Sequence, residues 1–143
     1  MSTLAVGVGK AEFGLPAAAV REVLRPPPLT RVPFAPPAVR GVAQVRGTVL
    51  AVVDLGARLG MGPVAPPGRL VVVWGHGREA VGLLVDRVAG LVEEDDGEAD
   101  ELPPDEAEAA LPPGWLAGVA VPNPGRRVAL LHLERVLGAE ESR

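Results

Sequence analysis

The 143-residue chain has no cysteine and no tyrosine, a single lysine (Lys10), a single asparagine (Asn123) and serine only at Ser2 and Ser142. Without cysteine neither a disulfide framework nor a thiolate metal site can form, and a reducing, cytoplasmic compartment is the expectation. Covalent catalysis needs a hydroxyl, thiol or amine beside a base. The internal hydroxyls Thr30 and Thr48 lie inside or beside strand-like runs, so no Ser/His/Asp triad can be assembled. His76, in a Gly-His-Gly turn, and His132, after an apolar run, lack the spacing of a helical metal pair and read as a turn residue and a helix-start residue. No catalytic residue, cofactor or metal is therefore expected. Apolar runs approaching the roughly 18 residues of a membrane span are also lacking, and Met1 to Gly14 has no basic segment leading into an apolar stretch. The sequence predicts neither export nor direct membrane insertion.

What is present is apolar: 48% of residues are hydrophobic, enough for a genuine core. The net charge of −4 conceals an asymmetry, with residues 1–92 at +5 and residues 93–143 at −9. Ten of the sixteen residues from Glu93 to Glu108 are acidic and none is basic, the composition of a solvated loop or helix face. The arginines of the first part are dispersed and not interleaved with aromatics, which argues against nucleic acid as a partner. Asp54 and Asp86 each end an apolar strand-like run. They could form a carboxylate pair for acid/base work, but aspartate at such a place commonly caps a helix or closes a turn. Gly7-Val8-Gly9-Lys10 lacks the full spacing of a phosphate loop.

Alternation of apolar and small residues from Leu4 to Val8, a polar turn at Lys10 to Glu12 and Phe13-Gly14-Leu15 predict an opening hairpin. Pro16 and Ala17 to Val20 predict a short helix, ended by the prolines at 26–28. Leu29 to Val32 predicts a short edge strand, and Pro36 to Arg40 one helical turn ending at Gly41. β-Branched runs on either side of Arg46-Gly47 predict a hairpin with an arginine at its bend. A short helix over Leu55 to Leu59, a loop over Met61 to Gly68, and a second hairpin, Leu70 to Trp74 with Ala80 to Val85, follow. Val88 to Val92 is a further strand, Leu102 to Leu111 an acidic helix or loop, and Trp115 to Val121 and Arg127 to Leu131 the last strands before a helix at Leu133 to Leu137. Many short strands with Gly/Pro punctuation and no full-length crossover helix predict a mainly β chain of small barrels.

Four stretches carry a resemblance: Phe13-Gly14-Leu15 with Val20-Arg21-Glu22-Val23; Val32-Pro33 with Gly41 to Leu55; Val81 to Val88; and Trp115 to Gly118 with Leu130 to Leu137. In order and spacing the chain resembles the CheW family of bacterial chemotaxis coupling proteins over essentially its whole length. It departs in having Gln44-Val45 where Asn-Leu often precedes Arg-Gly, and in the acidic block. The resemblance implies one domain of two five-stranded SH3-like barrels packed side by side, one from the middle of the chain and the other from both ends, with receptor tips gripped between them. It also implies a non-enzymatic scaffold whose partners are the cytoplasmic tip of a chemoreceptor and the regulatory domain of a CheA-type histidine kinase. Val20, Glu22, Gly41 and Arg46 would lie at or near those contacts, with Val42 and Val88 as apolar neighbours. The residues themselves leave alternatives open: Gly41 as a plain turn glycine, Arg46 paired with Glu22 of its own chain, Glu22 as an ordinary surface charge. A regulator or decoy that binds receptors without the kinase, the coupling protein of a gliding or pilus pathway, and an enzyme or small-ligand barrel are the competing readings.

Overall fold

The computed structural model describes residues 1–75, 79–93 and 103–141, so His76 and most of the acidic block lie outside the described residues. Among the described residues ten strands form two five-stranded sheets. The first is built from β1 (Ser2–Val8), β2 (Ala11–Pro16), β8 (Arg87–Glu93), β9 (Leu116–Asn123) and β10 (Arg126–Leu131), in the order β8-β1-β2-β10-β9. The second is built from β3 (Val20–Leu24), β4 (Val39–Val45), β5 (Thr48–Asp54), β6 (Arg69–Trp74) and β7 (Ala80–Val85), in the order β3-β6-β7-β5-β4. Hairpins supply four of the antiparallel pairs, the long-range pairs β1 with β8 and β3 with β6 are antiparallel as well, and β5 with β7 and β2 with β10 pair in parallel. The described residues also form three short α-helices, α1 (Leu55–Arg58), α2 (Glu106–Ala109) and α3 (Leu133–Glu141).

Because side chains alternate across a strand, an apolar run covers both faces of its sheet. In β6, Val71 and Val73 join one cluster and Leu70 and Val72 another. The larger cluster is shared between the sheets: Leu4, Val6, Val8, Phe13 and Leu15 pack with Val53, Val71, Val73, Leu83 and Val85, under Val136 and Leu137 of α3. Each sheet also encloses a private cluster, Leu50, Val52, Leu70, Val72 and Leu84 in one and Ala5, Val92, Ala120 and Val128 in the other.

Several expectations need correction. Backbone pairing leaves each sheet open rather than closed as a barrel. Ala17–Ala19 forms a single 3-10 turn, and Val20 begins β3, because its β-branched residues pair with β6 instead of extending a helix. The expected strand at Leu29 to Val32 reduces to one bridge, Thr30 with Val42, since flanking prolines lack the amide donors a longer ladder needs. Pro36 to Arg40 is a turn rather than a helical one, and Val39 already pairs with Val53 as the start of β4. The first hairpin turns at Gly9-Lys10, with β2 running from Ala11.

Candidate functional site

Three local irregularities of the second sheet each display an arginine. Val20 pairs with Val73 and Glu22 with Val72, so Arg21 is the extra residue of a bulge. A bulge re-aims the side chain it carries, and here the Arg21 guanidinium sits 5.7 Å from the centre of the Trp74 ring. Val39 pairs with Val53 and Gly41 with Val52, so Arg40 is bulged in the same way, and it reaches the fully buried Asp54 at 2.7 Å. Between Val45 and Thr48 the chain turns in two residues, Arg46 and Gly47, with φ of 51° and 81°. Positive φ at both positions marks the tight hairpin turn whose twist matches the strands, in which asparagine normally precedes glycine. Arg46 occupies that place and extends its guanidinium across the sheet, Nε donating to both Glu22 carboxylate oxygens at 3.0 and 3.2 Å. The arginine remains 73% exposed and the glutamate 18%.

Of the six expected contact residues, the structure brings Glu22 and Arg46 into one ion pair, the internal alternative raised by the sequence. Val20 is half-buried against the shared core. Gly41 is buried with φ 145°, and a Cβ there would run into the Thr30 carbonyl oxygen. Val42 exchanges both backbone hydrogen bonds with Thr30, at 2.8 and 2.9 Å. Gly41 and Val42 therefore hold the 25–38 connection against β4. Val88 lies on the other sheet, opposite Val6.

Sequence reasoning missed the surface beside these residues. A groove of about 950 Å³ is lined by Val39, Val49, Ala51, Trp74, Val81 and Leu137 among others, with Arg21 and Glu79 supplying charge. Trp74 is 47% and Val49 65% exposed, a large apolar area to leave in water. The alternation of β5 could have pointed to Val49 and Ala51, the outward-facing residues that alternate with the buried Leu50 and Val52.

The two aspartates have structural work. Asp54 caps α1, accepting from the Ala57 amide at 3.0 Å, and also accepts from the Val64 amide at 3.0 Å. Asp86 accepts from the Gly9 amide at 2.6 Å and the Ala65 amide at 3.0 Å. They grip neighbouring amides of one loop, so they do not lie at opposite ends of the molecule. Their oxygens are instead engaged by backbone donors and Arg40, Asp54 as a helix cap and Asp86 as a clasp between two distant segments, rather than as a proton-transfer pair. His132 precedes α3, its carbonyl accepting from the Val136 amide at 3.0 Å.

On the first sheet Glu108 is buried in a capping box with Asp105 and pairs with Arg127 at 2.7 Å. Burial alone would raise the Glu108 pKa, but hydrogen bonds from Arg127 and the Asp105 amide outweigh it and hold the carboxyl below its usual range. Arg127 is raised in turn by its bond to Glu108, and Arg126 by its bond to Glu12.

Comparison with known proteins decides the family, for the CheW-like domain model matches residues 2–141. The chain belongs to the CheW family. It is similar to the chemotaxis protein CheW of Rhizobium meliloti, 36% identical over 96% of this chain and 88% of that one. It is also similar to Protein PilI of Pseudomonas aeruginosa, 39% identical over 71% of this chain and 57% of that protein. The crystal structure of scaffolding protein TtCheW from Thermoanaerobacter tengcongensis shares the fold, with a TM-score of 0.81 at 22% identity over 95% of this chain and 91% of that one. Among the described residues no helix of this CheW-family chain is long and apolar enough to cross a membrane.

Proposed function

We propose that this CheW-family chain is a non-enzymatic, cytoplasmic scaffold, acting as one domain, that couples the cytoplasmic tip of a chemoreceptor to the regulatory domain of a CheA-type histidine kinase. The observation that carries this reading is the open apolar groove between the second sheet and α3. A receptor tip is a helical hairpin, and an amphipathic helix docks by laying its apolar face into such a groove. Val49, Ala51 and Trp74 offer that face, and Arg21 over Trp74 adds a charge at its wall. Val20, Glu22 and Arg46 form the neighbouring rim, Gly41 and Val42 keep its backbone in shape, and Val88 steadies the facing sheet. Recruitment to the membrane would then come through the receptor. A scaffold that holds receptor and kinase together acts by raising their effective concentration, with no chemistry of its own.

Titration calorimetry with a receptor-tip hairpin and with the kinase regulatory domain tests the proposal. Binding to both, singly and together, is expected. Binding to the receptor alone would make the chain a regulator or decoy, and binding to neither would end the reading. A second reading, the coupling protein of a gliding or pilus motility pathway, draws its support from the likeness to Protein PilI. Receptors of the two pathways offered in competition separate them.

A further inference from the structure

The connection between β3 and β4 carries a feature that the groove does not use. Val32 to Ala35 is a tight turn, the Ala35 amide donating to the Val32 carbonyl at 3.3 Å, with Pro33 at its second position and Phe34 at its third. Phe34 has a φ of 62° and is 106% exposed. A turn with proline second and a positive φ third is a type II turn, whose third position calls for glycine or asparagine. A phenylalanine there is strained, and its ring buries nothing within its own chain.

The frame around it is stiff. Pro33, Pro36 and Pro37 restrict the backbone, the Val39 amide donates to the Pro36 carbonyl at 2.9 Å, and Thr30 is bonded twice to Val42. A preorganised aromatic loses little freedom on binding, the property of an anchor. Phe34, Val32, Leu29 and Arg31 line a concavity of about 780 Å³.

Charge selects the occupant. Residues 23–53 contain four arginines and no carboxylate. Arg40 and Arg46 are engaged by Asp54 and Glu22. Arg25 and Arg31 are exposed and, among the described residues, have no ion pair. We propose that the Pro33-Phe34 turn is a docking surface for an acidic protein segment that offers a large apolar side chain to Phe34 and carboxylates to Arg31. It does not depend on the receptor and kinase reading.

Selection of a random peptide display library on the purified full chain tests this without either proposed partner. Enriched peptides should carry a large apolar residue flanked by Asp or Glu, and bind more weakly as salt rises. Phe34→Gly and Arg31→Glu should each weaken them about tenfold or more, the loss expected of an interface anchor. Phe34→Gly should also leave the thermal midpoint equal or higher, since glycine relieves the strained φ. No enrichment, neutral or basic consensus peptides, equal binding by Phe34→Gly, or a lowered midpoint in that variant would overturn the proposal. Sedimentation equilibrium showing a dimer that Phe34→Gly dissolves would assign the surface to a second copy and overturn it too.

Discussion

Glu22 and Arg46 meet at 3.0 Å although β3, and the β4–β5 turn that carries Arg46, belong to opposite margins of one sheet. The sheet is therefore curled far enough for its two sides to touch. A side-chain ion pair stands where a closed barrel would have a backbone ladder.

Because the Arg46 guanidinium is largely exposed, Arg46→Ala should lower unfolding free energy by only about 0.2–1 kcal/mol, the range of exposed ion pairs. Loss of a partner contact at the same residue would weaken that complex by about 2–5 kcal/mol. Because Arg21 Nε also lies 3.5 Å from Glu22, the charge-reversed double variant Glu22→Arg with Arg46→Glu should regain only part of the stability in chemical denaturation and fail to regain affinity in calorimetry. Recovery of affinity by the swap would make the pair an internal brace only.

Asp54→Ala should be far more damaging. It removes a fully buried carboxylate and strands the amides of Ala57 and Val64 and the Arg40 charge, for which about 3–5 kcal/mol is expected. Asp86→Ala leaves its two amides nearer solvent and should cost about 1 kcal/mol. Equal urea midpoints for the two variants would contradict this ranking.

Acid should act through Glu108. Its pKa in the folded chain lies below the ordinary 4.5, so the folded state binds protons less readily than the unfolded one. Its stabilising contribution is fully present above pH 4.5 and is lost as pH falls through the lowered folded value. Glu108→Gln should flatten that part of the thermal midpoint against pH curve. Parallel curves for the two proteins would remove Glu108 from the explanation.

Gly82 lies in β7 where a Cβ would meet Leu70 Cδ1 at 2.8 Å and Leu50 Cδ1 at 3.1 Å. Gly82→Ala should overpack the private core of the second sheet and cost about 1–3 kcal/mol in thermal or urea unfolding. An unchanged midpoint would show that the two leucines re-rotamerise freely.

The hairpins were legible because runs rich in Val and Leu broken by glycine leave little choice but strand, turn, strand, as at Val45-Arg46-Gly47-Thr48. The capping role of Asp54 was equally plain, since an aspartate after a strand has local amides to accept from, whereas the amides that Asp86 grips, Gly9 and Ala65, are distant in sequence and leave no local mark. β3 was hidden by Ala17 to Ala19, whose helical preference is real but local, while the pairing of Val23 and Leu24 with β6 is not. The bulges at Arg21 and Arg40 leave no mark in composition. They arise from register between strands distant in sequence, and with them the Trp74 wall of the groove was out of reach. The Glu22 to Arg46 pair was visible only as one option, because the curl that unites them is a property of the whole sheet.

The distribution of strands also sets an order of assembly. All five strands of the second sheet come from one continuous stretch, Val20 to Val85, whereas the first needs Ser2–Pro16 to wait for Arg87–Leu131. During synthesis the second sheet is complete before most of its partner exists, and the β1–β2 hairpin must hold Val6, Phe13 and Leu15 without its neighbours β10 and α3. Contacts that join distant parts of a chain form slowly. The ladders of β1 with β8 and of β2 with β10 are therefore completed late, and in pulsed hydrogen exchange the amides that bond across them would gain protection after those of β5, β6 and β7.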